Sequence, residues 1–317
     1  LGDSIRFLAA GEGLMKKYPT ARVHYFGAGF LEELFKGRAN HAYHVFFPCD
    51  NMVRPRDEII DETKHKHLDV GINYDITVDG WCPPYLHEPA TKGVCCQDRT
   101  ELWCREAGVP FIRPKLVPTE EDLKKMELAK DTLKRYKAIV GIQVGATCKS
   151  REYPYYYVDE LIRLLKLENI AVILFDVCYR WHKDIKVRSN ILLSIDADWS
   201  TTIGRLLACD IMVTPDSGFY HLSGLLSKKC IGIFGATSGQ ITSRPYNIGK
   251  KTGLYMQLKH DEIDYTKIPD TCKPTCYMRW ERGWNFSRYR DHHRYCAVIE
   301  QIKPVSVFNN IIKHMEV

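Results

Sequence analysis

No apolar run in this chain approaches the ~20 residues that a membrane-spanning helix needs, so a helical integral membrane protein is excluded. No internal repeat and no low-complexity tract occurs, which argues against a solenoid or a largely disordered chain. No signal peptide is legible at the start, where the first residue is Leu, and the chain reads as cytoplasmic, or at most peripheral to a membrane. Nor does a strand pattern stand before Gly2-Asp3, although an alternating β/α half ordinarily opens on one. A disulfide framework is missing too. The twelve cysteines are scattered, and Cys178, Cys209 and Cys230 lie inside apolar runs, the pattern of buried free thiols in a reducing compartment.

What is present suffices for two cores. The chain has 317 residues, 45% of them hydrophobic, and domains usually run about 100–200 residues. Charged residues make up 26%, an ordinary globular share. The net charge of +6 and pI of about 8.6 suit an anionic partner: a nucleotide, a phosphorylated glycolipid, a membrane surface or nucleic acid.

Periodicity predicts alternating strands and helices. The first half reads as a helix up to Tyr18 stopped by Pro19, a strand over 21–27, a short helix over 31–35 and a strand over 45–48. A charged helix over 55–68, a strand over 74–79 and a helix over 97–107 follow. Residues 110–118 are Pro-rich and extended. Thr119 then opens a helix reaching Tyr136, with Asp122 where a capping box usually has Glu or Gln. The second half predicts strands over 138–144, 170–177, 191–195, 211–215 and 229–235, with helices over 155–167, 200–208 and from Gly218 onward. After Gly235 the pattern loosens, and an amphipathic helix over 304–314 closes the chain. Such alternation implies α/β architecture with mostly parallel sheets.

The segment Ile211–Leu226 is the most telling. A β-branched run ends at Thr214-Pro215, Asp216-Ser217-Gly218 makes a turn, and Phe219, Leu222, Leu225 and Leu226 follow at helical spacing. Asp216 or Ser217 can cap that helix, and Gly218 admits a close approach to the backbone. Free N–H groups at such a helix start form an anion site.

Further motifs stand in order along the chain. Gly2-Asp3 leads to Lys17-Tyr18-Pro19 and Ala21-Arg22-Val23. Tyr74-Asp75-Ile76-Thr77-Val78-Asp79 follows, then Gly145-Ala146-Thr147 with Arg151-Glu152-Tyr153-Pro154. Last come Asp216-Ser217-Gly218 with His221-Leu222, and Ile233-Phe234-Gly235-Ala236-Thr237. Over nearly the whole chain this resembles the heptosyltransferase family, glycosyltransferase family 9. The resemblance implies a GT-B fold, two Rossmann-like domains with parallel sheets facing across a cleft. Residues 1–137 would form the acceptor-side domain and 138–300 the nucleotide-sugar domain, with 301–317 a C-terminal helix packing back on the first. The family's first strand precedes its Gly-Asp pair and is absent from the chain as given.

The resemblance also implies roles. Asp3 is the candidate general base, taking the proton of the acceptor hydroxyl during inverting transfer; on the residues alone it reads as a helix cap. Arg151 stands where the family has a Lys three residues before Pro, aimed at the donor phosphates. Its planar fork is not a point charge, and Lys149 is near enough to share the task; a solvated basic loop is the alternative. Thr147 offers those phosphates a hydroxyl or is a turn residue. Ser217 and Gly218 present backbone N–H groups and one hydroxyl to the diphosphate, and Asp216 holds the turn or faces sugar hydroxyls. His221 has a supporting place and otherwise reads as a satisfied core residue. Asp176 follows the strand after which the family binds the ribose. There Asp176-Val-Cys-Tyr179 departs from the pattern, so the base is open, with an ADP-sugar favoured. Asp75 and Asp79 are candidate acceptor contacts or solvated strand-end residues.

The family's transfer is metal-independent and needs no cofactor beyond the nucleotide-diphosphate sugar; no Asp-x-Asp is read as a metal motif. Cys272, Cys276 and Cys296, with His292 or His293, loosely resemble a zinc set and read as structural or incidental. The stretch from Arg279 to Tyr295 interleaves basic and aromatic residues. It reads as a loop packed on the donor domain, and it keeps nucleic acid, such as a modified base in DNA, as an alternative acceptor. The expected function is inverting transfer of heptose or a related sugar to a saccharide or lipopolysaccharide-core acceptor. A non-catalytic sugar-nucleotide-binding module is a third reading.

Overall fold

Aliphatic runs without polar alternation demand a sheet covered on both faces. Ala138–Gln143 and Ile170–Asp176 are two such runs, and in the computed structural model both are buried at every position. The structure describes residues 5–27, 30–39, 45–48, 75–76, 98–146, 149–176, 185–186, 188–235, 237–268 and 295–315.

The N-terminal elements are α1 (Leu8–Lys17), β1 (His24–Gly27), α2 (Phe30–Phe35), β2 (Val45–Pro48) and α3 (Arg99–Glu106). Then follow α4 (Glu120–Leu133), β3 (Ala138–Gln143), α5 (Tyr155–Leu167), β4 (Ile170–Asp176), β5 (Ile191–Ile195) and α6 (Trp199–Ala208). The rest are β6 (Ile211–Pro215), α7 (Gly218–Leu225), β7 (Cys230–Ile233), α8 (Gly239–Ser243), β8 (Gly253–Met256) and α9 (Pro304–Met315). β1 and β2 pair in parallel, His24 opposite Val45. The six later strands form one parallel sheet in the order β5-β4-β3-β6-β7-β8. Counted from β3, this is the doubly wound order, with its topological switch point between β3 and β6.

Side chains along β3 and β4 alternate between two cores, as strand geometry requires. Val140, Ile142, Val172 and Leu174 meet α5 and α9 through Leu161, Leu165, Val307 and Ile311. Ile139, Ile173 and Phe175 face the other way, into a core shared with α6, α7 and the N-terminal residues Ile5, Leu8, Leu31 and Leu34. The closing helix α9 was expected on the N-terminal domain. Its apolar stripe instead completes the core of the six-stranded sheet beside α5, and Lys229 Nζ donates to the His314 carbonyl at its end (3.0 Å).

Side chains join the N-terminal elements to this body, among them Arg244, paired with Glu101 on α3 at 2.6 Å. Thr119 and Asp122 form the expected capping box of α4. Asp122 also receives both arms of the Arg38 guanidinium, at 2.7 and 2.8 Å, and Arg38 donates to Ser200 Oγ in the first turn of α6 (2.8 Å). α4 and α6 touch closely there because Gly204 has no side chain; a Cβ would lie 2.4 Å from Lys125 Cβ. Arg113, in the extended segment, donates to Gly224 O (2.9 Å) and Thr252 Oγ1 (2.6 Å), tying that segment to the end of α7.

Most expected elements recur within a residue or two of their bounds. The helix over 55–68 lies outside the described residues. Of the strand over 74–79 only Asp75 and Ile76 are described. They form no strand, and Ile76 is 43% exposed rather than turned to a core. Beyond Gly235 the chain holds α8 and the strand β8, which the sequence pattern missed. β8 is a four-residue edge strand of mixed burial and shows no periodicity.

Candidate functional site

Parallel strands end on the same edge, so the segments after β3, β4, β6 and β7 converge, with the switch point at their centre. Gln143 ends β3, and its Nε2 donates to the Gly145 carbonyl. The chain then runs to a 3-10 turn, Lys149–Arg151, whose mouth is fixed by buried Glu152 accepting the Ala146 N–H (3.3 Å). Lys149 Nζ lies 4.8 Å from the centroid of the Tyr295 ring, and the Tyr295 hydroxyl accepts the Tyr155 N–H (3.4 Å). Asp176 ends β4 and is buried.

After β6, the backbone turns into α7 at Ser217. This residue is the N-cap by conformation, yet its side chain makes no capping bond. Its hydroxyl donates to Gln143 Oε1 at 2.7 Å. In this structure its one hydrogen is thus given across the switch point to β3. The Gly218 and Phe219 N–H groups find no acceptor among the described residues. They stand at the positive end of the helix dipole, the geometry that receives an anion. Asp216, 9% exposed, accepts from Thr237 Oγ1 at 2.6 Å through Oδ2. The same oxygen lies 3.8 Å from Arg151 Nη1. His221 is buried, its Nδ1 2.7 Å from the Tyr246 hydroxyl, which pins α7 to the following chain. That is the core role weighed for it.

The structure thus gathers Arg151, Asp216, Ser217 and Gly218 on one edge, with Lys149 in the same turn as Arg151 and Asp176 at the end of β4. Asp3, Thr147 and Asp79 lie outside the described residues. Asp75 is exposed in a bend and does not end a strand. Two contributors had no assigned role in the sequence: Gln143 and Thr237. A polar residue closing an apolar strand, as Gln143 does, was the available signal.

One Asp-x-Asp triplet does occur, Asp196-Ala197-Asp198. Asp198 is used as the cap of α6, accepting from the Thr201 N–H (2.7 Å) and hydroxyl (2.9 Å). Among the described residues, no three His, Cys, Asp or Glu come together as a metal set. Cys104, Cys209, Cys230 and Cys296 are free thiols, and burial pushes Cys230 up to about 12. Cys178, Cys272 and Cys276 lie outside the described residues, as does 279–294. No helix among the described residues is long and apolar enough to cross a membrane.

Comparison with known proteins adds to this geometry. A curated relative, lipopolysaccharide heptosyltransferase 2 of Salmonella typhimurium, is 24% identical over 147 residues, 42% of this chain. The match spans 41% of that relative's length. The structure of E. coli ADP-heptose lps heptosyltransferase II superposes with a TM-score of 0.64 at 14% identity, covering 99% of this chain and 96% of that one. The E. coli heptosyltransferase WaaC with ADP-2-deoxy-2-fluoro heptose gives a TM-score of 0.58 at 14% identity, covering 98% and 96%. These likenesses show the fold, the α/β GT-B fold that the sequence led us to expect. The family model of glycosyltransferase family 9 (heptosyltransferase) matches residues 108–267, half of the chain and the whole run from the extended segment through β8. With the motifs in order, the doubly wound sheet and the anion-ready start of α7 at its switch point, the chain belongs to glycosyltransferase family 9.

Proposed function

We propose that this chain is an inverting, metal-independent glycosyltransferase. It moves heptose or a related sugar from an ADP-sugar to a saccharide or lipopolysaccharide-core acceptor, on the cytoplasmic side of a membrane. The observation that carries the reading is the uncapped start of α7 at the switch point, with Arg151 beside it. The donor diphosphate sits on the Gly218 and Phe219 N–H groups. The acceptor oxygen attacks the anomeric carbon from the face opposite the diphosphate, so the new C–O bond forms as the bond to phosphate breaks and the configuration inverts. Asp3 takes the hydroxyl proton. The electron pair leaves on the diphosphate, whose growing charge Arg151, Lys149 and the helix start neutralise. The capture of ADP-2-deoxy-2-fluoro heptose by the similar heptosyltransferase WaaC supports the choice of ADP.

A thermal-shift panel of ADP, GDP, UDP and CDP, followed by a transfer assay with ADP-heptose and truncated lipopolysaccharide, tests this. A ligand at ~100 times its Kd stabilises by about 2.7 kcal/mol, so ADP gives the largest shift. Transfer then proceeds equally with chelator, and Asp3→Asn abolishes it. Binding of no nucleotide refutes the donor site; undiminished transfer by Asp3→Asn refutes the base.

A further inference from the structure

Gln143 closes β3, the strand at the switch point, and its place is fixed from both sides. Its backbone stands opposite Phe175 of β4, and its neighbour Ile142 stands opposite Val213 of β6. The side chain is buried, so each end of its amide needs a partner. Nε2 donates to the Gly145 carbonyl. A carbonyl only accepts, so this bond sets the direction of the amide and turns Oε1 towards Ser217. The Ser217 hydroxyl donates to that oxygen at 2.7 Å.

Ser217 has the extended backbone of an N-cap, φ −148° and ψ 172°. From that conformation a serine hydroxyl ordinarily accepts the N–H two or three residues on, here Phe219 or Tyr220. The Tyr220 N–H already reaches the Ser217 carbonyl (3.2 Å). The Phe219 N–H is then the group a capping hydroxyl would take, and it is one of the two on which the donor diphosphate is proposed to sit. The hydroxyl and the diphosphate compete for one donor. With its hydroxyl on Gln143, Ser217 makes no capping bond.

We propose that Gln143 is a positioning residue for donor binding: by taking the Ser217 hydroxyl it keeps the first N–H groups of α7 open to a diphosphate. This rests on the donor-site reading above. It gives a buried residue that touches no reacting atom the work of stopping a helix from capping itself.

The test measures ADP affinity by calorimetry, and donor and acceptor KM with ADP-heptose and truncated lipopolysaccharide, for Gln143→Met, Gln143→Leu, Ser217→Ala and Gln143→Met/Ser217→Ala. Gln143→Met frees the hydroxyl to cap α7, so ADP weakens and the donor KM rises ~5–10-fold, the worth of an N-cap bond, with acceptor KM unchanged. Gln143→Leu, of different shape and equally without an acceptor, behaves alike. Ser217→Ala stays within ~3-fold of the parent. Adding Ser217→Ala to Gln143→Met brings ADP affinity back to within ~3-fold of the parent, because alanine has no hydroxyl with which to cap; the second substitution reverses the first. A merely structural role for Gln143, its hold on Gly145 included, gives a loss that Ser217→Ala leaves in place or deepens, and that outcome overturns the proposal. If the parent protein binds no nucleotide, the donor-site reading fails and this inference with it; if the parent binds ADP and Gln143→Met binds equally well, this inference alone fails.

Discussion

Arg38→Met costs about 3–5 kcal/mol of stability near pH 7, the range for breaking a buried ion pair from one side. The structure sets the terms. Arg38 is 5% exposed and Asp122 fully buried. Besides the two bonds to Asp122, Arg38 donates to the carbonyl of Glu33 (2.8 Å) and to Ser200 Oγ (2.8 Å). Methionine keeps most of the apolar stem, so the cost is electrostatic rather than a cavity. It leaves a buried carboxylate with only the hydrogen bonding from Thr119 among the described residues. The pH dependence follows from linkage. Burial by itself raises the Asp122 carboxyl, but hydrogen bonds from Arg38 and Thr119 and the Arg38 charge outweigh it and hold the group below its ordinary value. Stability from a depressed carboxylate is complete above the unfolded value of about 3.9 and is lost as pH falls through the lower folded value. In Arg38→Met, burial wins and the carboxyl rises, so the variant accepts a proton early and its deficit shrinks in acid. Urea unfolding followed by tryptophan fluorescence at about pH 7 and about pH 3.5 measures both. Adding Asp122→Asn recovers part of the loss at neutral pH by removing the orphaned charge. A cost under ~1 kcal/mol at pH 7, or a deficit independent of pH, refutes the reasoning. Activity falls with stability, because this pair ties the end of α2 to α4 and α6.

Three further outcomes test the site and its surroundings. Arg151→Ala weakens ADP binding ~10–100-fold by calorimetry, while Arg151→Lys keeps most of it because the charge remains. Ser217→Ala changes ADP affinity less than ~3-fold, since its hydroxyl serves Gln143 and the proposed phosphate contacts are backbone N–H groups. Glu12, on α1, accepts the Lys115 N–H (3.0 Å), yet burial raises its carboxyl to about 7 against the weaker pull of Lys115. The folded chain therefore keeps a proton the unfolded chain has lost, and stability declines as pH rises from about 4.5 to about 7. Glu12→Gln removes that decline; in chemical denaturation it matches the parent near pH 5 and exceeds it by roughly 2–3 kcal/mol near pH 8.

How much of this was legible beforehand depended on the distance over which each feature is decided. β3, β4, β6 and β7 were readable because burial on both faces leaves aliphatic runs no polar residue interrupts. The start of α4 was readable because Thr119 and Asp122 complete their box within one turn. The partner of that same Asp122 was not. Arg38 lies 84 residues away, and Arg113 reaches Gly224 over 111; no spacing rule links such residues. Ser217 shows the limit most clearly. A serine before a helix reads as a side-chain cap, and locally that is the better bond. The fold brings Gln143 within 2.7 Å of its hydroxyl, and the longer-range partner wins. Leaving the helix start uncapped is what makes it available to an anion.

The arginine at 151 gives the same point a chemical consequence. A lysine, which the family has at this place, holds a phosphate as a point charge and tolerates rotation about its stem. A guanidinium is a planar fork whose value depends on its orientation, and it pairs readily with any carboxylate in reach. Asp216 is such a carboxylate: its Oδ2 lies 3.8 Å from Arg151 Nη1 and also accepts from Thr237 Oγ1. Replacing lysine by arginine is therefore more than a local exchange in this chain, because a fork beside a carboxylate brings a competing partner that an incoming phosphate must displace.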